Sequence, residues 1–254
     1  MPNRLDGQIV LNTRPAHQQA ALTALLEADG ARVLSFPVID IALHSPPDLA
    51  QHLDEFDALL FVSRNAVDGA LREIDSTIIP ADTMLGVIGS ATHEALREYV
   101  GESGRLLVAD PPYNSEALLA APDLQQMHGK RVAIFRGQAG RNLLGDELPR
   151  RGAAVEYFEV YRRELPDLST DGFNRLVAAQ FPTLVILTSE EGMHNLFRLV
   201  DADAAARLCR TPWLLISERM RESALKLGHN AAITIAEQAS DTGIHQSVRT
   251  WANP

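Results

Sequence analysis

One cysteine, Cys209, stands in 254 residues, which excludes an internal disulfide, and its neighbours Leu208 and Arg210 supply no second Cys or His for a structural metal site. A reducing compartment fits that usage. Long apolar runs are also missing: none approaches the roughly 20 residues that cross a bilayer. Met1 to Gln8 is polar and short, unlike a secretory signal or a membrane anchor. The expected location is the cytoplasm, with no membrane partner. Positive charge is scarce, and a formal net charge of −10 argues against nucleic acid as a partner, because phosphate-backbone affinity needs a basic surface. P-loop, GxGxxG, nucleophile-elbow and CxxC patterns are absent, which removes most support for phosphoryl transfer, nicotinamide chemistry and covalent thiol catalysis. The eight histidines are scattered without helical or Cys/His spacing, so no metal is expected. Asp201-Ala202-Asp203 has the spacing of a metal-binding acid pair, but it precedes an alanine run and reads as a solvated loop.

What the chain does contain is ordinary globular material, 46% hydrophobic and 22% charged, at a length that favours two bodies of roughly 120 residues. Short β-branched runs alternate with amphipathic ones: Ile9–Asn12 then Gln18–Ala28, Ala58–Val62 then Ala66–Ile74, Leu85–Ile88 then His93–Tyr99. Strand runs such as Ala58-Leu59-Leu60-Phe61-Val62 and Leu184-Val185-Ile186-Leu187 are apolar throughout, which predicts burial on both faces and a parallel sheet covered by helices.

The sequence also repeats. Gly7-Gln8-Ile9-Val10 with Arg14 aligns with Gly129-Lys130-Arg131-Val132 with Arg136, 122 residues on, and the same offset pairs Gly30 with Gly152, Val33 with Val155 and Ile39 with Tyr161. Phe61-Val62-Ser63 matches Leu187-Thr188-Ser189 at 126, and Leu107-Val108-Ala109 matches Thr234-Ile235-Ala236 at 127. Shared apolar spacing explains the Val and Leu matches by itself, and helix-ending caps explain Gly30 and Gly152. The paired arginines are explained less well that way. An internal duplication with five strands per copy follows.

Two runs, Arg32–Leu43 and Ala154–Leu165, are rich in β-formers well beyond the usual strand of about 5–6 residues. Read as connections between lobes, they make the first lobe discontinuous, residues 1–36 and 166–254. The second lobe is then 37–165, with about 36–42 and 158–165 as hinge strands. Two lobes side by side, split near Met127, is the alternative.

A polar turn recurs after each predicted strand: Thr13-Arg14-Pro15, Ser63-Arg64-Asn65, Gly89-Ser90-Ala91-Thr92, Arg136-Gly137, Thr188-Ser189 and Ser217-Glu218-Arg219. Open parallel sheets bind ligands along this rim. Helix capping accounts for each Ser, Thr and Asn singly, and Pro15 suits a first helical position. Together they gather backbone N–H groups, helix N-termini and Arg14, Arg64, Arg136 and Arg219 along two rims, which suits a polycarboxylate. Gly137 and Gly140 between Arg136 and Arg141 let backbone approach an anion, and equally fit a surface turn. Tyr161 lies in the second long run, where alternation accounts for it on a half-buried strand face and its phenol is also a candidate proton donor.

Val10-Leu11-Asn12-Thr13-Arg14-Pro15, Phe61-Val62-Ser63-Arg64-Asn65-Ala66-Val67, Gly89-Ser90-Ala91-Thr92 and Pro112-Tyr113-Asn114-Ser115-Glu116-Ala117-Leu118-Leu119 follow one another. Phe135-Arg136-Gly137 with Gly140-Arg141, Val160-Tyr161-Arg162-Arg163 and Leu187-Thr188-Ser189 with Gly192 complete the series. In order and spacing this resembles the uroporphyrinogen-III synthase family over essentially the whole chain. The resemblance implies an α/β protein of two flavodoxin-like parallel-sheet lobes joined by a two-stranded β-ladder hinge. It implies a cofactor-free cyclising hydro-lyase of haem biosynthesis that closes hydroxymethylbilane with inversion of the last pyrrole ring and loss of water. It further implies a monomer that takes its substrate from hydroxymethylbilane synthase. Carried over by motif, Tyr161 assists the leaving hydroxyl, and Ser63, Thr92 and Ser189 bind substrate carboxylates, with Ala91, Gly137, Arg14, Arg136 and Arg141 beside them. Met220 departs from the pattern, standing where a small hydroxyl residue often follows the strand, and Glu190-Glu191 put acid next to Ser189. The other reading is a non-catalytic two-lobed protein that binds a small anion or regulates.

Overall fold

A strand that is apolar at every position has to be covered on both faces, and in the computed structural model Ala58–Phe61 and Leu184–Ile186 are buried at every residue. The structure describes residues 4–47, 49–72, 74–101, 105–138 and 142–253. Its strands are β1 (Ile9–Asn12), β2 (Arg32–Ser35), β3 (Asp40–Leu43), β4 (Ala58–Phe61), β5 (Met84–Val87) and β6 (Arg105–Val108). They continue as β7 (Arg131–Gly137), β8 (Ala154–Glu164), β9 (Leu184–Ile186), β10 (Trp213–Leu215) and β11 (Ile233–Ile235). The chain forms two compact units, Met1–Asp40 with Glu164–Pro254, and Ile41–Arg163. No helix among the described residues is long and apolar enough to cross a membrane.

The first unit holds a sheet in the order β11-β10-β9-β1-β2, the second one in the order β3-β8-β7-β4-β5-β6. Counted within its own unit, the first sheet reads 2-1-3-4-5, the flavodoxin-like doubly wound order. The second repeats it as β8-β7-β4-β5-β6 with β3 added at the edge, so that copy has six strands where five were expected. Pairing register carries the duplication too. Ile9 faces Arg32 in β1–β2 and Arg131 faces Ala154 in β7–β8, both 122 residues on. Val10 faces Leu184, while Ala58 faces Val132, which keeps offsets of 122 and 126.

The run Arg32–Leu43 is not one strand: β2 ends at Ser35 and β3 begins at Asp40 in the other sheet. Pro37 interrupts it, having no N–H to give a ladder. The matching run stays whole as the 11-residue β8. In the second unit, strand alternation sends Leu59, Phe61, Leu85 and Phe135 to one face and Leu60, Met84, Val132 and Ile134 to the other. Phe61 and Phe135 stack at 4.8 Å and Phe135 and Phe158 at 5.3 Å, fixing β4, β7 and β8 side by side below the C-terminal rim.

Candidate active site

At the C-terminal end of β8 the alternation breaks. Arg136 pairs with Glu159 but the next residue, Gly137, pairs with Tyr161, so Val160 is an extra residue in the ladder. Such a bulge puts two successive side chains on one side and re-aims the second. Tyr161 therefore packs with Val160 in the Phe61–Phe135 face instead of joining Tyr157 on the other. Its ring then crosses β7 and reaches β4, two strand spacings away or about 10 Å. Gly137 permits the crossing: a Cβ there would stand 2.5 Å from Tyr161 Cε2 and Cζ. On the far side Ser63 Oγ donates to the Tyr161 hydroxyl oxygen at 3.2 Å.

Ser63 lies just past β4 and caps the helix Arg64–Leu71, its Oγ accepting from Ala66 N. One hydroxyl thus relays from a helix N-terminus to the phenol, and this leaves the phenolic O–H to donate outward. Gly69 in that helix has no room for a Cβ, which would lie 2.2 Å from Val160 O, so the helix backbone rests directly on the bulge. One strand further along, helix Ser90–Val100 begins after Gly89, whose φ of 84° suits glycine. Ala91 is exposed and Thr92 buried in its first turn, where backbone N–H groups have no carbonyl behind them in the helix. Ser63, Gly137 and Tyr161 are thus in contact, with Ala91 and Thr92 on the adjacent turn.

Arg136 points to the other face of the same rim. Its guanidinium lies over the Tyr157 ring at 4.7 Å, donates to Asn142 Oδ1 at 2.8 Å and to Gly137 O at 3.3 Å, and stands 3.9 Å from Glu159. Arg141 lies outside the described residues, as does Gly140. Tyr113 and Tyr157, which motif reading passed over as site residues, line a pocket here with Arg136.

The first unit has its own rim. Ser189 caps the helix Glu190–Leu199, accepting from Gly192 N at 2.9 Å. Glu190 turns away from it: its carboxylate accepts from Ser223 Oγ and Arg219, both at 2.7 Å, and the Ser223 hydrogen bond first, then Arg219, lowers its pKa. Met220 is buried core, and the hydroxyl of that turn is Ser217, which caps the helix Glu218–Lys226. Arg14 is ion-paired with Asp241. Gln19 donates to the Arg14 carbonyl at 2.6 Å and accepts from Ser35 Oγ at 2.5 Å, a buried brace that no motif signalled. Asp201 is exposed and caps the helix Ala202–Leu208, accepting from Ala204 N at 2.8 Å, so Ala202 and Asp203 lie in a helix and not in the expected loop.

Fold and site define a duplicated, doubly wound α/β protein whose rims carry capped helix N-termini and one buried phenol. The family model described as uroporphyrinogen-III synthase HemD (HEM4) matches residues 20–245, and the chain belongs to that family. The Escherichia coli (strain K12) uroporphyrinogen-III synthase is 31% identical over 254 residues, covering 94% of this chain and 99% of that protein. The Salmonella typhimurium (strain LT2) enzyme of the same name is 32% identical over 249 residues, with the same coverage. Among solved structures, Helicobacter pylori uroporphyrinogen-III synthetase superposes with a TM-score of 0.64 at 15% identity, covering 96% of this chain and 99% of that one.

Proposed function

We propose that this chain closes hydroxymethylbilane to uroporphyrinogen III, with Tyr161 as the group that assists departure of the terminal hydroxyl. Membership of the uroporphyrinogen-III synthase family makes it a cyclising lyase of porphyrin biosynthesis. The observation that carries the residue assignment is the relay from Ala66 N through Ser63 Oγ to the Tyr161 hydroxyl, at 3.2 Å in each step. A phenol whose oxygen already accepts keeps its proton for a partner in front of it. Proton donation to the leaving hydroxyl gives water and an azafulvene cation. The substituted carbon of the last ring attacks it, the resulting spiro intermediate opens and recloses inverted, and the proton then lost from the ring carbon at the closure restores the neutral pyrrole and the phenol. Because the open chain cyclises unaided to the uninverted isomer, the larger task is to hold the ends in the one productive arrangement.

In this reading the substrate's carboxylates meet backbone N–H groups at Ala91 and Thr92 and at the capped turns of Ser63 and Ser189. Arg14, ion-paired with Asp241, acts more as a support of its turn than as an open cationic site. The protein works in the cytoplasm as a monomer, on substrate handed over by hydroxymethylbilane synthase. The test is a coupled assay in which hydroxymethylbilane is generated in place, the products are oxidised, and the uroporphyrin isomers are separated. Predominantly isomer III is expected; isomer I alone from folded protein overturns the reading and leaves a small-anion binder.

A further inference from the structure

On the face of the second sheet opposite Tyr161, the C-terminal rim opens into a pocket of about 280 Å³. Val62, Ile88, Ile134 and Leu144 form an apolar floor, Tyr113 and Tyr157 stand at its walls, and Arg136 brings the positive charge. Three features separate it from an ordinary surface hollow. The Arg136 side chain is only 10% exposed, and its stacking on Tyr157 holds the guanidinium in one plane. Tyr157 is itself fixed, accepting from Gly145 N at 2.9 Å and donating to Asn142 O at 3.2 Å. Tyr113 is half exposed and held at φ 55°, a left-handed conformation that costs a bulky residue about 1 kcal/mol or more and that the fold sustains at the mouth of this pocket.

The lining selects a class of ligand. Phosphate-binding sites collect several donors around the anion; here one guanidinium, with Asn114 and Ser115 also in the lining, sits beside an apolar floor and two aromatic rings. That suits a flat, electron-rich ring bearing a carboxylate arm. The size is a further selection: ligand pockets of about 300–1,000 Å³ take whole drug-sized molecules, so this one takes one ring of a larger substrate. Resting on the synthase reading above, we propose that the pocket holds one pyrrole ring of the linear tetrapyrrole, its carboxylate arm toward Arg136 and its ring beside Tyr113. Since Arg136 adjoins Gly137, over which Tyr161 lies, a ring seated here anchors the chain next to the reacting end.

The experiment combines steady-state isomer-III kinetics of full-length variants with an NMR titration of the intact protein. The titration probe is a monopyrrole carrying one acetate and one propionate arm. Arg136→Met should raise KM about tenfold or more, as loss of a charge-assisted hydrogen bond does, with kcat within about threefold. Tyr113→Ala, at a half-exposed position that folding does not need, should raise KM about threefold. The probe should shift the amides of Asn114, Ser115 and Tyr157 with a millimolar Kd in the parent protein and not in Arg136→Met. Unchanged KM in folded Tyr113→Ala together with no probe shifts at these amides overturns the proposal, and decides it even where Arg136→Met fails to fold. The synthase reading fails separately, when the parent protein makes only isomer I; the titration still reports whether the pocket takes an acidic pyrrole.

Discussion

Replacing Gly137 by alanine tests the arrangement of Tyr161 directly. The new methyl would stand 2.5 Å from Cε2 and Cζ of the ring and 3.0 Å from its hydroxyl, where ordinary contact begins near 3.4 Å. The ring has to retreat by about 1 Å, since β7 is fixed between β4 and β8, and misplacement on that scale costs up to ~100-fold in rate. Overpacking of this kind also costs about 1–3 kcal/mol of stability, which lowers Tm by ~2–4 °C for each kcal/mol in a chain of this size. Gly137→Ala should therefore fold, melt several degrees lower, and turn over about 10- to 100-fold more slowly with KM little changed. The coupled isomer assay, run on Gly137→Ala, Tyr161→Phe and the double variant, separates the causes. If both changes act through the phenol, alanine adds less than about threefold to the loss already caused by phenylalanine. Gly172→Ala, whose nearest neighbour would be 3.7 Å away, serves as the control for glycine replacement. Parental kcat in Gly137→Ala, or fully multiplicative losses in the double variant, refutes the reasoning.

Tyr161→Phe itself should slow isomer-III formation without abolishing it, because the pyrrole nitrogen already pushes the hydroxyl out; complete loss of turnover in a folded sample contradicts this. His229 is buried and stacks on Trp213 at 4.1 Å between ring centroids. Burial, outweighing backbone hydrogen bonds at Ala232 and Ala231, lowers its pKa below the ordinary histidine value. The unfolded chain then takes up the proton first as pH falls. Its contribution to stability is complete above about pH 6.5 and is lost through the lowered folded value. Tm should drop between about pH 7 and pH 5, and less steeply in His229→Phe; equal slopes sink the assignment. Met220→Ser should destabilise by ~2–5 kcal/mol as a core truncation while folded enzyme keeps its kcat, measured by denaturant titration beside the isomer assay; unchanged stability would return Met220 to the rim.

Local signals were the legible ones. Ser63, Ser189 and Ser217 could be read as caps because a cap is decided within four residues, and all three accept from the N–H three positions on. Unbroken apolar runs gave β4 and β9, since burial on both faces leaves no other composition. What the sequence could not display were features made by distant partners. The bulge at Val160 exists only against β7, so alternation, which accounts for Tyr161 on a half-buried face, could not show that it is buried beside Val160. Arg14 finds Asp241 across 227 positions, and no spacing rule announces that pairing. Pro37 was visible, yet only the sheet assignments show that it divides one long run between two sheets.

The duplication explains why a single phenol suffices. Equivalent positions kept the scaffold: Ser63 and Ser189 cap equivalent helices, and Arg14 and Arg136 leave equivalent strands. They diverged where the proposed chemistry lies. Ile39 occupies in the first unit the place of Tyr161 and is buried there as an ordinary core residue. Pro15 stands in place of Gly137, so the space that admits the phenol has no counterpart. The helix above differs as well: where Gly69 lets the backbone rest on Val160, Asn195 instead reaches across with its side chain, donating to Val38 O at 3.0 Å. Tyrosine, the glycine beneath it and the glycine behind it form a set, and tyrosine alone at position 39 would meet Pro15 and a helix held off by Asn195. Gaining a second phenol takes three coordinated changes, whereas losing this one takes a single methyl group at Gly137.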